Sequence, residues 1–106
     1  MRKEKILELA RGMWGKGKNC NAIARTRVEK ALSHQFRDRK LKKRDARKLW
    51  IQQLNAGARE HGLEYNKLIY GLSQAKVGVN RKVMADLAGT EPLSFRALAE
   101  LAKVFW

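Results

Sequence analysis

The spacing of apolar side chains changes along this chain. Nothing except Gly57 interrupts a helical pattern from Asn21 to Glu60, with Asn21 as the predicted N-cap and Gly62 as the predicted stop. This pattern predicts one helix of up to about 40 residues, which is roughly 60 Å long at 1.5 Å per residue. An apolar face begins only near its end, at Trp50, which we interpret as a core residue.

Beyond Gly62, apolar residues recur at helical spacing in three shorter stretches. The second stretch begins near Asn80 and breaks at Pro92, and Ser94 is the predicted cap of the third. The predicted buried side of the third helix consists of Phe95, Leu98 and Leu101 or Ala102. The chain is therefore predicted to be all-α, with a long basic N-terminal helical arm followed by a small globular bundle of short helices.

Charge divides the chain unevenly. Its 106 residues carry 24 Lys and Arg against 10 Asp and Glu, a net charge of +14. Residues 1–58 hold 17 of these bases and 5 acids, whereas residues 59–106 hold 7 bases and 5 acids. We therefore predict a basic N-terminal extension and long helix over 1–58 and a compact all-α domain over 59–106. So small and so basic a chain is typical of a protein that completes its fold on a polyanion.

Eight of the twelve residues at 37–48 are basic. Five of them fall within an arc of about 100° on a helix, and Arg39 and Lys43 extend that arc. The five are Arg37, Lys40, Arg44, Arg47 and Lys48. Repulsion between like charges three and four residues apart destabilises a helix, and only Asp38 and Asp45 relieve it here. This helix should fray in water and form firmly on phosphates.

Several kinds of site are disfavoured. The single Cys20 excludes an internal disulfide and a cysteine zinc site, and two histidines suggest no metal centre. No catalytic constellation is visible. The glycine-rich segment 12–19 lacks the spacing of a P-loop and is interpreted as a flexible basic connector. Within it, Trp14 is either a base-stacking residue or a loop anchor. No apolar run is long enough to span a membrane, and Glu4 and Glu8 disfavour a mitochondrial presequence.

Several runs of residues resemble one family. They are Phe36–Lys40, Leu49–Ile51, Asn55–Ala56, Asn80–Val83 and Ala85–Ala88. From about Lys3 to Ala102 the chain resembles ribosomal protein twenty of the bacterial-type large subunit. That resemblance implies a long helical arm among rRNA helices and a small all-α domain on an rRNA junction. It implies a structural constituent of the large subunit that supports assembly and is not an enzyme.

The resemblance also implies partners and contact residues. The implied partners are large-subunit rRNA and neighbouring large-subunit proteins, and we expect no cofactor, metal, membrane, small-molecule substrate or homo-oligomer. The implied arm contacts with rRNA are Arg25, Arg27, Arg37, Arg39, Lys40, Lys43, Arg44, Arg47 and Lys48. The implied contacts of the C-terminal domain are Arg59, His61, Lys67, Arg81 and Lys82.

Three further runs, at 17–20, 27–32 and 91–98, look like mitochondrial members of the family, particularly those of plants and algae. The resemblance thus favours a mitochondrial ribosome, with a plastid or the bacterial cytoplasm as the alternative. A second function class is a general nucleic-acid chaperone or DNA-compaction protein, which would bind most duplexes alike. A third, an amphipathic membrane-surface protein, is disfavoured because the basic helix lacks an opposing apolar face.

Overall fold

The computed structural model describes residues 2–106, and that range contains helices and no strand. The α-helices are α1 (Lys3–Leu9), α2 (Asn21–Glu60), α3 (Tyr65–Gln74), α4 (Arg81–Thr90) and α5 (Pro92–Lys103). A short 3-10 helix, Gly15–Lys18, lies between α1 and α2. The predicted all-α class is confirmed, and so are the long helix and the three short helices that follow it.

The long helix α2 has 40 residues and begins at Asn21, the residue that was predicted to be its N-cap. The backbone N–H of Ala24 donates to the carbonyl oxygen of Cys20 at 2.7 Å, which is the bond an N-cap carbonyl accepts. Cys20 therefore occupies the N-cap position, and the prediction of Asn21 there was wrong by one residue. The Asn21 Oδ1 is buried and has no hydrogen-bond partner among the described residues, so it caps nothing.

The predicted stop of α2 at Gly62 is confirmed in detail. Gly62 has a φ of +79°, a left-handed conformation that glycine adopts without a steric penalty. The N–H of Leu63 donates to the carbonyl of Ala58 at 2.9 Å, and the N–H of Gly62 donates to that of Arg59 at 3.1 Å. These two bonds form a Schellman motif. Leu63 and Ala58 are both buried in the same core, which completes the motif's apolar contact.

Helix α3 ends in the same motif without a glycine. The N–H of Val77 donates to the carbonyl of Leu72 at 3.0 Å, and the N–H of Lys76 donates to that of Ser73 at 3.1 Å. Lys76 occupies the left-handed position with a φ of +60°. A side chain at that position has unfavourable contacts with its own backbone, so this helix end is strained.

The chain divides into two compact units, 1–42 and 43–106, with the boundary inside α2. In the first unit, α1 and the start of α2 share a small apolar cluster. Its buried members are Ile6, Ala10, Ala24 and Val28. Leu7 and Met13 pack against it. This cluster was not predicted, because two of its four members are alanines and contribute little to the hydrophobic pattern.

The second unit contains the larger core. Its buried residues are Leu54, Ala58, Leu63, Leu68, Leu72, Met84, Ala85, Phe95, Ala99 and Ala102. Helix α5 packs against both α3 and α4. The approach of α5 to α3 depends on Gly71, because a Cβ at that position would lie 2.5 Å from the carbonyl oxygen of Ala102. Trp50 is half-buried against this core, in agreement with its interpretation as a core residue.

The start of α4 was predicted correctly, and the start of α5 was not. The Asn80 Oδ1 accepts a hydrogen bond from the Val83 N–H at 2.9 Å, which caps α4 where its start was expected. Helix α5 begins at Pro92, so Ser94 lies inside the helix and is not its cap. Proline suits a first helical position because its φ is preset and its missing N–H leaves no donor unpaired there.

On α5, the buried side is formed by Phe95, Ala99 and Ala102, with Leu98 half-buried. Of the two alternatives predicted for its last position, Ala102 is the buried one. Leu101 is 42% exposed. Because α5 packs against two helices, the small Ala99 and Ala102 fit the contact better than a leucine would.

Candidate nucleic-acid interface

The middle of α2 presents a row of bases. We call residues 37–48 the arm segment. Its seven predicted contact residues are all exposed, and they are Arg37, Arg39, Lys40, Lys43, Arg44, Arg47 and Lys48. Among the seven, Lys40 contacts an aromatic ring, since its Nζ lies 4.2 Å from the ring centroid of Phe36. Phe36 is itself 58% exposed. The helix therefore carries a cationic surface with one aromatic ring at its edge.

The protein leaves this charge almost unneutralised. Among residues 2–106 the one ion pair is Arg96 Nε to Glu100 Oε1 at 3.1 Å, in α5 and exposed to solvent. Asp38 and Asp45, the two acids of the arm segment, form none. The arm segment therefore has its guanidinium and ammonium groups available for an external anion. A row of this kind matches the repeated phosphates of a nucleic-acid backbone.

At the N-terminal end of α2, Arg25 and Arg27 are both exposed. The Arg27 Nη1 donates to the carbonyl oxygen of Trp14 at 2.8 Å. Arg27 also lies so close to Gly17 that a Cβ there would meet its guanidinium at 2.5 Å. Arg27 thus holds the segment at 12–19, which contains a 3-10 helix and differs from the flexible connector that was expected.

In the second unit, a hydrogen-bonded network joins two predicted contact residues. The Asn55 Oδ1 accepts from Arg59 Nε at 3.1 Å and from the backbone N–H of Tyr65 at 3.3 Å. The Tyr65 hydroxyl accepts from Arg81 Nε at 2.7 Å. Asn55 and Tyr65 therefore orient both guanidinium groups. A concave surface of about 370 Å³ lies beside them, lined by Ile51, Gln52, Asn55, Arg59, Glu64, Tyr65 and Asn66.

This network gives Arg81 an internal partner. Arg81 is the first residue of α4, where the positive end of the helix dipole disfavours a cation. The bond from Arg81 to the Tyr65 hydroxyl accounts for part of its placement. Lys82 is exposed and lines a second concavity, together with Trp50, Gln53, Val83 and Asp86.

The remaining two predicted contacts lie next to aromatic rings. His61 is half-buried, and its ring centroid lies 5.9 Å from that of Phe95. Lys67 is exposed, with its Nζ 5.4 Å from the ring centroid of Trp106. Trp106 also donates from Nε1 to the Lys67 carbonyl at 3.1 Å and packs on Tyr70 with ring centroids 5.2 Å apart. His61 thus contributes to packing, whereas Lys67 belongs to an exposed aromatic group.

Sequence reasoning missed Asn55 and Tyr65 as organising residues. The sequence indicates their roles only weakly. Asn55 is a poor helix former on the side of α2 near the core, and Tyr65 fits the pattern as one more apolar position. Their partners lie up to 16 positions away, as Arg81 does from Tyr65. No periodicity within one helix reveals such a pairing.

Residues 2–106 contain no group of three or more His, Cys, Asp or Glu side chains placed to hold a metal ion. In the same range, no helix combines the length and the apolar character that crossing a membrane requires.

Comparison with known proteins places the chain in one group of proteins. The profile of the family described as "Ribosomal protein L20" matches residues 1–98. The chain is 53% identical over 102 residues to "Large ribosomal subunit protein bL20" of Rhodospirillum centenum, covering 96% of this chain and 86% of that protein. Proteins of the same name match at 50% in Myxococcus xanthus and 51% in Geotalea daltonii, each over 96% of this chain and over 89% and 87% of the relative.

Proposed function

This chain belongs to the bacterial-type ribosomal protein L20 family, and we propose that it is a structural, non-enzymatic constituent of the large ribosomal subunit. In this role it binds large-subunit rRNA directly and supports subunit assembly. The observation that carries the proposal is the arm segment, whose exposed bases form no ion pair within the described residues. The names of its relatives agree with it.

The arm segment acts through phosphate neutralisation. Each base that meets a phosphate releases condensed counterions, so affinity falls steeply as salt rises. The same contacts remove the repulsion between bases three and four residues apart, and this stabilises the helix. Binding and helix formation are therefore coupled in this part of α2.

The bundle adds contacts of fixed geometry. Arg59 and Arg81 are oriented by Asn55 and Tyr65, and a planar guanidinium held in this way binds phosphate through two parallel bonds. Lys82, Lys67 and His61 lie on the same unit. We propose that these five residues contact a folded rRNA junction, while neighbouring large-subunit proteins cover other surfaces.

The competing function is a general nucleic-acid chaperone or DNA-compaction protein. Both functions use the same basic helix, but they differ in selectivity. A structural rRNA-binding protein prefers one folded site at moderate salt, and a chaperone binds most duplexes alike. The oriented arginines favour the first, because fixed side chains distinguish shapes better than mobile ones do.

The decisive experiment is crosslinking of the tagged protein to RNA in cells, followed by sequencing of the attached RNA. We expect one dominant peak in a large-subunit rRNA. Reads spread over many RNAs, or recovery mainly of DNA, would reject the structural role and support the chaperone.

A matched pair of variants tests the role of the arm segment in vitro. One variant combines Arg37→Gln, Arg44→Gln and Arg47→Gln. Its control combines Lys76→Gln, Arg96→Gln and Lys103→Gln, which removes the same charge from exposed positions of the second unit. The plot of log affinity for a large-subunit rRNA transcript against log salt should lose a slope of about three in the arm variant. Equal losses in both variants would mean that net charge alone drives binding.

We propose two compartments for this protein, and a different observation supports each. Three runs of sequence support the mitochondrial ribosome, at 17–20, 27–32 and 91–98. The relatives reported above are bacterial, which supports the alternative, the bacterial cytoplasm. The genome that encodes the crosslinked rRNA distinguishes them: a mitochondrial rRNA would establish the first and a bacterial rRNA the second, whereas a plastid rRNA would reject both.

A further inference from the structure

The segment at 12–19 presents a single large aromatic side chain to solvent. Trp14 is 87% exposed, more than any other large hydrophobic residue among those described. Its neighbour Met13 packs against the cluster of Ile6 and Val28. Met13 therefore anchors the segment by apolar packing, and the indole of Trp14 makes no such contribution.

The backbone around Trp14 is held in place. Its carbonyl accepts the 2.8 Å bond from Arg27 Nη1. The glycines on either side, Gly12 and Gly15, have φ values of +84° and +65°, so the chain turns before and after the indole. The N–H of Cys20 donates to the carbonyl of Lys16 at 2.8 Å and closes the segment onto α2. The exposed ring therefore projects from a constrained turn.

The charged residues closest to Trp14 in the sequence are basic. Residues 10–20 contain Arg11, Lys16 and Lys18 and no acid, and Arg27 is added from α2. Four donors of Arg27 remain for another partner, because a guanidinium has five N–H groups and one bond goes to Trp14. An exposed indole among cations suits a partner that offers both a π face and negative charge. An unpaired nucleotide offers both.

We propose that Trp14 stacks on an unpaired base of large-subunit rRNA, while Lys16, Lys18 and Arg27 contact the adjacent phosphates. This inference rests on the proposed function and adds a specific contact to it. The stacking contact differs in kind from those of the arm segment, because it depends on ring area and not on charge.

The test uses the full chain and a large-subunit rRNA transcript. Trp14→Ala should weaken binding roughly 5- to 150-fold, the range that base–aromatic stacking spans, and should leave the slope of log affinity against log salt unchanged. Trp14→Tyr should restore most of the affinity, since tyrosine keeps a stacking ring. The matched control is Leu93→Ala, which removes another large apolar side chain that is 80% exposed and lies outside every proposed contact, and it should change affinity less than twofold.

The possible outcomes distinguish failure of the stacking contact from failure of the proposed function. Equal affinity of Trp14→Ala and the wild-type chain would overturn the stacking contact while leaving rRNA binding intact. The stacking contact would also be overturned if Trp14→Ala lost a crosslink to a neighbouring protein and kept its affinity for rRNA, since a protein would then cover the indole. A wild-type chain that does not prefer large-subunit rRNA would instead overturn the proposed function itself.

Discussion

The middle of α2 and the C-terminal bundle are both helical, but tertiary packing supports them very differently. From Glu29 to Gln53 no side chain of α2 is buried. In the bundle, Leu68 and Phe95 are 0% and 2% exposed. Most helical stability in proteins comes from packing an apolar face, not from propensity. The arm segment has its backbone hydrogen bonds and an unfavourable charge pattern, whereas the bundle has a core.

The difference assigns each region its part in binding. A helix without packing responds to whatever neutralises it, so the arm segment adapts to a polyanion. The bundle keeps Arg59 and Arg81 in place before any partner arrives, because Asn55 and Tyr65 already hold them. One region thus contributes charge, and the other contributes shape.

The largest contrast should appear in amide hydrogen exchange of the full chain without RNA. Amides of the arm segment should open with almost no free-energy cost, while core amides of α3 and α5 should open only on global unfolding. For a stability of about 5 kcal/mol this is a difference of more than about a thousandfold in protection. Adding rRNA should protect the arm segment selectively. Equal protection of both regions without RNA would remove the contrast.

Two phenylalanines, one from each region, test the same contrast by mutation. Phe95→Ala should lower the free energy of unfolding by about 3–5 kcal/mol, because Phe95 is 2% exposed in the core. Phe36→Ala should lower it by less than about 1 kcal/mol, since Phe36 is 58% exposed and its ring contacts the exposed Lys40 ammonium. Urea unfolding followed by circular dichroism measures both. Similar losses would mean that the arm segment is packed after all.

Two glycines extend the comparison to the N-terminal unit. Gly71→Ala would place a Cβ 2.8 Å from the Ala102 Cα, so α3 and α5 must shift and the free energy of unfolding should fall by about 1–3 kcal/mol. Gly17→Ala meets the flexible side chain of Arg27 instead. It should cost about 1 kcal/mol or less, the net worth of the bond to Trp14. A larger loss at Gly17 would show that the N-terminal unit is the more rigidly packed.

The smallest effect concerns Lys→Gly substitutions, which should stabilise one region and destabilise the other. Lys76→Gly should stabilise the bundle by about 1 kcal/mol, because it relieves the left-handed backbone at a φ of +60°. Lys42→Gly, in the arm segment, should disfavour its helix by about 1 kcal/mol, the usual effect of glycine at an exposed helical position. The first is read from the urea midpoint and the second from the circular dichroism signal at 222 nm. The same sign at both positions would contradict the strain at Lys76.

Local signals carried much of the prediction. Gly62 and Asn80 act on residues within one turn, and both behave as their types require. Ser94 misled because Pro92, two residues earlier, is an equally good helix start. For the candidate site, the exposed bases of the arm segment followed from composition alone. The positions of Arg81 on Tyr65 and His61 on Phe95 did not, because each pair joins residues far apart in the chain.

The amino-acid sequence by itself determined the all-α class, the length of α2, the density of charge on the arm segment and the family. These depend on period, composition and short-range backbone chemistry, which any stretch of chain expresses without its distant neighbours. Only the tertiary structure decided that Met13 packs half-buried on the N-terminal cluster while Trp14 is left exposed, and that Arg27 binds the Trp14 carbonyl. The cluster is formed by residues from other parts of the chain. Close packing leaves room beside it for one of these two neighbouring side chains.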